Sequence, residues 1–297
     1  MHDDQLTVST ETVRGLVDEQ FPQWRGLPVR AVASQGTVNA IFRIGDGLAA
    51  RFPLQSAGID ETRRSLLREA EAARELAGRT RFRTPEPVAV GEPGRDYALP
   101  WSVQTWIPGG VATPDDPADS VAFASDLAEL IRDVRAVETR GRTFGGGGGR
   151  GGDLKPHDAW METCFARSED LLDVPRLRRM WSELRELPRE SADAMTHGDL
   201  IPGNVLVAGD RLAGVLDVGG FGPADPALDL VCAWHLLAAG PRRRLRAELG
   251  CGELEWRRGR AWAFQQAMGA AWYYRETNAA MHRMGVVTLS RLLEDDC

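Results

Sequence analysis

A chain of 297 residues, 43% of them hydrophobic, suits one large unit or two coupled domains with a substantial core, and its net charge of −7 argues against the basic face that a nucleic-acid partner requires. The start Met1-His2-Asp3-Asp4 is acidic where a secretory leader needs positive charge, and the longest apolar run, near Leu230, is too short to span a bilayer, so no membrane is expected and the cytoplasm is the expected setting. Cys164, Cys232, Cys251 and Cys297 show neither paired nor metal-ligand spacing, which predicts reduced packing thiols and no structural zinc.

In chain order, two strand-like runs at 29–33 and 40–44 flank the polar turn Ser34-Gln35-Gly36-Thr37-Val38-Asn39. Gly45-Asp46-Gly47 then turns into a short apolar strand, Leu48-Ala49-Ala50-Arg51-Phe52-Pro53. Residues 61–76 place Leu66, Leu67, Ala70, Ala73 and Leu76 at helical spacing. Trp101-Ser102-Val103-Gln104-Thr105-Trp106-Ile107 reads as a strand stopped by Pro108-Gly109-Gly110. Asp116-Pro117 is expected to open a helix, aspartate as N-cap and proline in first position, with Leu127, Leu130, Ile131, Val134 and Val137 as its apolar stripe. Residues 145–152, nearly all glycine, predict a mobile loop, either part of a substrate lid or without function. The stretch 256–284 is rich in aromatics: Trp262, Trp272, Tyr273 and Tyr274 are assigned to the core, with a ligand-binding face as the alternative.

The segment that carries chemistry is His197-Gly198-Asp199-Leu200-Ile201-Pro202-Gly203-Asn204, followed by Leu216-Asp217-Val218-Gly219-Gly220. Val205-Leu206-Val207 and Leu212-Ala213-Gly214-Val215-Leu216 predict a hairpin across the turn Ala208-Gly209-Asp210-Arg211. Folding back makes its ends neighbours, so Asn204 and Asp217 can offer oxygens to one hard cation such as Mg2+ held with a nucleotide. Asp199, in the tight loop upstream, can orient an acceptor hydroxyl and take its proton during phosphoryl transfer. His-Gly-Asp alone could be an ordinary turn; its combination with the ligand pair and the hairpin is what makes it specific.

With these residues the chain resembles the aminoglycoside phosphotransferase family, relatives of the protein kinases whose loop has His-Gly-Asp where most protein kinases have His-Arg-Asp. Gly222-Pro223-Ala224-Asp225-Pro226-Ala227-Leu228-Asp229-Leu230 is similar to the family's Gly-Asp-Pro-x-x-Asp-Leu segment, with Ala224 where many members have glycine. Ile201 and Val218 also depart from the common residues, and neither is a proposed ligand. The resemblance is strong over 190–235 and diffuse, though in order, over the rest.

The resemblance implies an α+β, bilobal, protein-kinase-like fold. A small β-rich nucleotide-binding lobe with connector would span 1–107, and a larger, mostly helical lobe with catalytic loop and acceptor site would span 108–297. It implies ATP or GTP as co-substrate and transfer of the γ-phosphate to a small-molecule hydroxyl, an aminoglycoside first; a macrolide or a choline-like or sugar-alcohol metabolite is the alternative, and a nucleotide-binding pseudoenzyme the reading from another class. A basic residue on a strand of the N-terminal third should touch the phosphates, held by a glutamate on the next helix. The chain's only lysine, Lys155, is far from such a strand, so Arg51 takes that place. Glu69 is the partner favoured by the family register over Glu71, which lies about 200° around the helix; a solvated surface charge is the other reading of Glu69. Ser34 and Thr37 would cover the nucleotide, with a plain polar turn as the alternative, and the backbone of Gln104, Thr105 and Trp106 would meet the adenine edge. His197, Asp225 and Asp229 are read as scaffold rather than chemistry. The acidic total favours a cationic acceptor slightly, with Asp158, Glu162, Glu276, Glu294, Asp295 and Asp296 as candidates or as ordinary surface charges.

Overall fold

A computed structural model describes residues 6–33, 38–55, 57–146 and 149–295. The chain divides into two compact units, one made of Met1–Ala77 and Arg83–Pro108, the other of Gly78–Phe82 and Gly109–Cys297.

The first unit opens with helix α1 (Thr10–Gln20), which begins where Ser9 Oγ accepts the Thr12 N–H at 3.0 Å and buries Val13, Leu16 and Val17. Strands β1 (Val29–Val32), β2 (Asn39–Ile44) and β3 (Leu48–Pro53) precede helix α2 (Ile59–Leu76), and β4 (Pro87–Gly91) and β5 (Trp101–Thr105) follow it. They form one antiparallel sheet in the order β1-β2-β3-β5-β4. Alternation along β3 and β5 sends Phe52 and Trp101 to the same core, where their rings stack at 4.7 Å, and Tyr97 closes it with its hydroxyl on the Pro53 carbonyl at 2.7 Å. On α2 the buried residues are Thr62, Leu66, Ala70, Ala73 and Leu76, whereas Leu67, expected in the stripe, is 47% exposed. At about 100° per residue Leu67 points a quarter turn away from Leu66, and the other buried positions cluster around Leu66.

The second unit contains the short strand β6 (Gly110–Val111) and helices α3 (Val121–Arg135), α4 (Asp158–Ala166) and α5 (Val174–Leu184). Next come strands β7 (Ala194–Thr196), β8 (Val205–Ala208), β9 (Arg211–Val215) and β10 (Gly222–Ala224). Helices α6 (Cys232–Leu236), α7 (Ala239–Leu249), α8 (Glu253–Tyr273) and α9 (Ala279–Glu294) complete it. Helix α3 starts later than Asp116-Pro117 suggests. Ser120 is its cap, its hydroxyl accepting the Phe123 N–H at 3.0 Å, while the Asp116 N–H is taken by Thr113 Oγ1 at 3.0 Å in a preceding turn. Leu127, Leu130, Ile131 and Val134 are buried, and Val137 falls beyond the helix end.

The aromatic stretch breaks after Tyr273 and resumes at α9, which Asn278 caps through its Oδ1 and the Met281 N–H at 3.1 Å. Trp262 is fully buried, but Tyr273 is 43% exposed and Trp272 only partly covered, contrary to the core assignment. Trp272 and Tyr273 are the last two residues of α8, past the run from Ala261 to Ala271 that is buried throughout, and Tyr274 follows the helix end. Cys164 and Cys232 are buried free thiols, and burial pushes Cys164 up to about 11, so it stays protonated; Cys297 lies outside the described residues. Lys155 pairs with Glu186 at 2.7 Å. Among the described residues no helix is long and apolar enough to cross a membrane.

Candidate active site

The loop that carries Asp199 leaves β7 and is framed by β10, which pairs with β7 through Gly222↔Thr196 and Ala224↔Ala194. Its shape is imposed from below by Asp229, whose Oδ2 accepts the His197 N–H at 2.8 Å and whose Oδ1 accepts the Gly198 N–H at 2.9 Å. Gly198 takes φ +86, a conformation open to glycine and costly for a side chain. Complete burial pushes the Asp229 carboxyl above the ordinary aspartate range, against the pull of His197 and the two amides.

His197 is fully buried and does structural work: Nε2 donates to the Leu216 carbonyl at 3.0 Å and Nδ1 accepts the Asp199 N–H at 3.4 Å. The Leu216 N–H in turn donates to the Asn204 carbonyl at 2.8 Å. Both backbone groups of Leu216 are therefore fixed, one by each end of the Asp199 loop. Strands β8 and β9 form the hairpin, with Val205 opposite Val215, and bring Asn204 beside the residue that precedes Asp217. Asp217 is exposed and adopts left-handed backbone angles, φ 55 and ψ 53, which aspartate tolerates better than most residues.

Asn204 Nδ2 donates to the Asp199 backbone carbonyl at 3.0 Å and to its Oδ2 at 2.9 Å. With its nitrogen committed there, the amide oxygen is the group left to face a ligand. The other carboxylate oxygen, Asp199 Oδ1, accepts from Arg150 Nη2 at 2.8 Å. Arg150 was not among the residues singled out from sequence. It stands 49 positions upstream, and its one distinguishing mark is that it is the charged residue within the glycine tract. Among the described residues no group of three or more His, Cys, Asp or Glu side chains could hold a metal unaided. The pair Asn204 and Asp217 supplies an amide and a carboxylate, hard oxygen donors that suit a magnesium ion completing its shell with phosphate and water.

Asp225, in the neighbouring segment, is scaffold. Its Oδ1 accepts the Ala227 N–H at 3.0 Å, and its Oδ2 accepts from Arg258 Nε at 2.7 Å and Trp262 Nε1 at 3.1 Å, all in the interior. Arg258 also donates to the carbonyls of Leu187, Pro188 and Gly152. The candidate acceptor acids are spread out and engaged. Asp158 accepts from Arg185 and from Trp181 Nε1, Glu162 pairs with Arg178, Glu276 with Arg275, and Asp295 with Arg242; Glu294 accepts from Ser290, and Asp296 lies outside the described residues.

In the first unit, Arg51 on β3 reaches from the sheet to α2, where its Nη1 meets Glu69 Oε2 at 3.0 Å, with side chains 12% and 32% exposed. Glu71 is on the exposed face of the same helix. Strand β3 pairs with β5, setting Ala49 opposite Gln104 and Leu48 opposite Thr105. The Thr105 N–H donates to the Glu86 carbonyl at 2.9 Å and the Trp106 N–H to the Gly47 carbonyl at 2.8 Å, so these two amides are already engaged within the unit. Arg43 lies over the Trp106 ring at 4.9 Å. Ser34 and Thr37 fall outside the described residues.

Comparison with known proteins gives three kinds of likeness. The phosphotransferase enzyme family matches residues 29–262. An aminoglycoside 3'-phosphotransferase of Streptomyces fradiae is 30% identical over 162 residues, which cover 48% of this chain and 56% of that protein. The GDP complex of aminoglycoside 2'-phosphotransferase-IIIa superposes with a TM-score of 0.70 at 17% identity, covering 98% of this chain and all of the other. A macrolide 2'-phosphotransferase of Brachybacterium faecium gives 0.60 at 17% identity, covering 95% and 97%. At such identities the structural likeness establishes the fold: α+β and protein-kinase-like, with a sheet-rich N-terminal region and a helical C-terminal region.

Proposed function

The chain belongs to the phosphotransferase enzyme family, and on that premise we propose that it transfers the γ-phosphate of a nucleoside triphosphate to a hydroxyl of a small-molecule antibiotic, an aminoglycoside first. The observation that carries the reading is the pairing of Asp199 with Asn204 in the loop framed by β7, next to the hairpin end that bears Asp217. Asp199 is the general base: its carboxylate aligns the acceptor hydroxyl and receives its proton. Asn204 and Asp217 would hold magnesium, which supplies charge neutralisation for the phosphates when bound. The ion pair of Arg51 with Glu69 presents a guanidinium to phosphate oxygens, the role a lysine takes in many kinases. At the connector, the engaged amides of Thr105 and Trp106 leave carbonyl oxygens and the Gln104 side chain as the groups for a nucleobase edge.

The family premise and the 30% identical stretch support an aminoglycoside acceptor, and the likeness to a macrolide 2'-phosphotransferase supports the macrolide alternative. A choline-like or sugar-alcohol metabolite is the third acceptor class. The nucleotide is ATP or GTP, and the setting is the cytoplasm, where such nucleotides and reduced thiols coexist.

The test is phosphate incorporation from ATP and from GTP into aminoglycosides, macrolides and small alcohols, read alongside nucleotide binding. Incorporation into one acceptor class identifies it. Tight nucleotide binding with no incorporation into any of them would instead make the chain a nucleotide-binding pseudoenzyme.

A further inference from the structure

The two oxygens of the Asp199 carboxylate are held differently. Oδ2 belongs to Asn204, a neighbour in its own loop, while Oδ1 is covered by Arg150 at 2.8 Å, the two side chains being 33% and 29% exposed. A hydroxyl that is to donate to Oδ1 competes with that guanidinium for it.

The backbone next to Arg150 is fixed. The Gly151 carbonyl accepts the Asp225 N–H at 2.8 Å, and the Gly152 carbonyl accepts from Arg258 Nη2 at 2.8 Å, tying both to the buried ion pair. Gly151 has φ +111, and a Cβ there would come within 2.7 Å of Ala224 Cβ. Upstream, the Phe144 N–H is held by Asp193 Oδ2 at 2.8 Å. By contrast, the guanidinium meets Asp199 through a single nitrogen in a partly exposed pair, a contact worth little to the fold. A fixed stem with a releasable head suits a group that gives way to a ligand.

Resting on the phosphotransferase reading above, we propose that Arg150 is a specificity-determining positioning residue that occupies Asp199 Oδ1 until the acceptor hydroxyl replaces it, and so withholds the base from water. In transfer, the acceptor oxygen bonds the γ-phosphorus. The bond from that phosphorus to the bridging oxygen breaks, its electron pair staying on the nucleoside diphosphate, and the hydroxyl proton passes to Oδ1. Water in the same position would undergo the same step and yield inorganic phosphate. An amine-bearing acceptor brings cations of its own to offset the charge of the displaced guanidinium, whereas water brings none. Arg150 therefore favours cationic acceptors over solvent.

The experiment measures nucleotide hydrolysis without acceptor and phosphate transfer with acceptor, in parallel, for wild type, Arg150→Ala, Arg150→Lys and the double variant Arg150→Ala/Asp199→Asn. Arg150→Ala is expected to raise the ratio of hydrolysis to transfer about tenfold or more, a part of the roughly 10²- to 10⁴-fold that a positioned base contributes. Arg150→Lys, which restores the cation, is expected to bring the ratio back toward wild type, and Asp199→Asn to abolish the added hydrolysis. An unchanged ratio in Arg150→Ala, or a rise that survives Asp199→Asn, overturns the proposal. Thermal unfolding of each variant checks folding, and Arg150→Gln replaces the alanine variant if that fails to fold. Wild-type protein that transfers phosphate to no acceptor removes the underlying activity and this proposal together; intact transfer with an unchanged ratio removes this proposal alone.

Discussion

Asn204 grips Asp199 at two oxygens, its side-chain nitrogen lying 3.0 Å from the backbone carbonyl and 2.9 Å from Oδ2. The grip fixes the carboxylate's orientation and leaves Oδ1 to Arg150. Asp199→Asn keeps the size of the side chain and removes the proton acceptor. Turnover should fall by about 10²- to 10⁴-fold with nucleotide affinity preserved, as read from steady-state kinetics and a nucleotide titration. Undiminished turnover would reassign the base.

Asp217 should act at the metal rather than at the proton. Asp217→Ala is expected to weaken binding of the magnesium-nucleotide complex by about tenfold or more, close to 1.4 kcal/mol, while metal-free nucleotide binds as before. Calorimetric titration with and without magnesium separates the two, and equal losses in both would remove Asp217 from the metal site.

The ion pair of Arg51 and Glu69 gives an internal control on one helix. Glu69→Ala should raise KM for nucleotide by about tenfold, because the guanidinium loses the acid that holds it. Glu71→Ala, on the exposed face, should leave KM unchanged. If the two variants behave alike, the pair has no part in nucleotide binding.

The interior pair of Asp225 and Arg258, at 2.7 Å with both side chains almost fully buried, ties the segment after β10 to the backbone of Gly152, Leu187 and Pro188. Removing one partner strands the other's charge in the core, so Asp225→Ala should lower unfolding free energy by about 3–5 kcal/mol in urea denaturation. A loss below about 1 kcal/mol would mean that water reaches Arg258 and replaces the carboxylate.

Stability should also depend on pH through His235, which donates and accepts among Thr288 Oγ1 and Gln266 Oε1 in the core. Burial pushes its pKa down to about 3. The folded state then keeps it neutral where the unfolded state, titrating near 6.5, takes up a proton. Its contribution is present in full above about pH 6.5 and is lost as pH falls toward 3, at up to about 1.4 kcal/mol per pH unit. His235→Gln should flatten the difference in stability between pH 6 and pH 5, and equal slopes in the two proteins would contradict the buried neutral imidazole.

What could be read from sequence was whatever the chain writes locally. The hairpin from Val205 to Leu216 was legible because its strands are β-branched and its turn holds Gly209 and Asp210, and Asn204 and Asp217 followed from it as its two ends. Helix α2 was legible from its periodicity, though Leu67 was placed on the wrong face because apolar identity was allowed to outweigh the angle. The start of α3 was misplaced since Asp116-Pro117 and Ser120 are both good openings, and the competition was settled by Thr113, which takes the Asp116 amide into a turn. Helix α1 has Ser9 to mark its start but only Val13, Leu16 and Val17 to bury, a short stripe for a sequence pattern. The contact of Arg150 with Asp199 was out of reach for a different reason. It joins residues 49 apart through a stretch without periodicity, and only the folded scaffold of Gly151, Asp225 and Arg258 brings them together.

The use of arginine at position 51 has a practical side. Amine-directed acylating reagents built on a nucleotide, which mark the phosphate-binding lysine of many kinases, would find no primary amine on that strand. The chain's single ε-amine, on Lys155, is more than half exposed beside Glu186, so a fluorophore coupled there reports on the second unit from one defined address and leaves the guanidinium of Arg51 untouched.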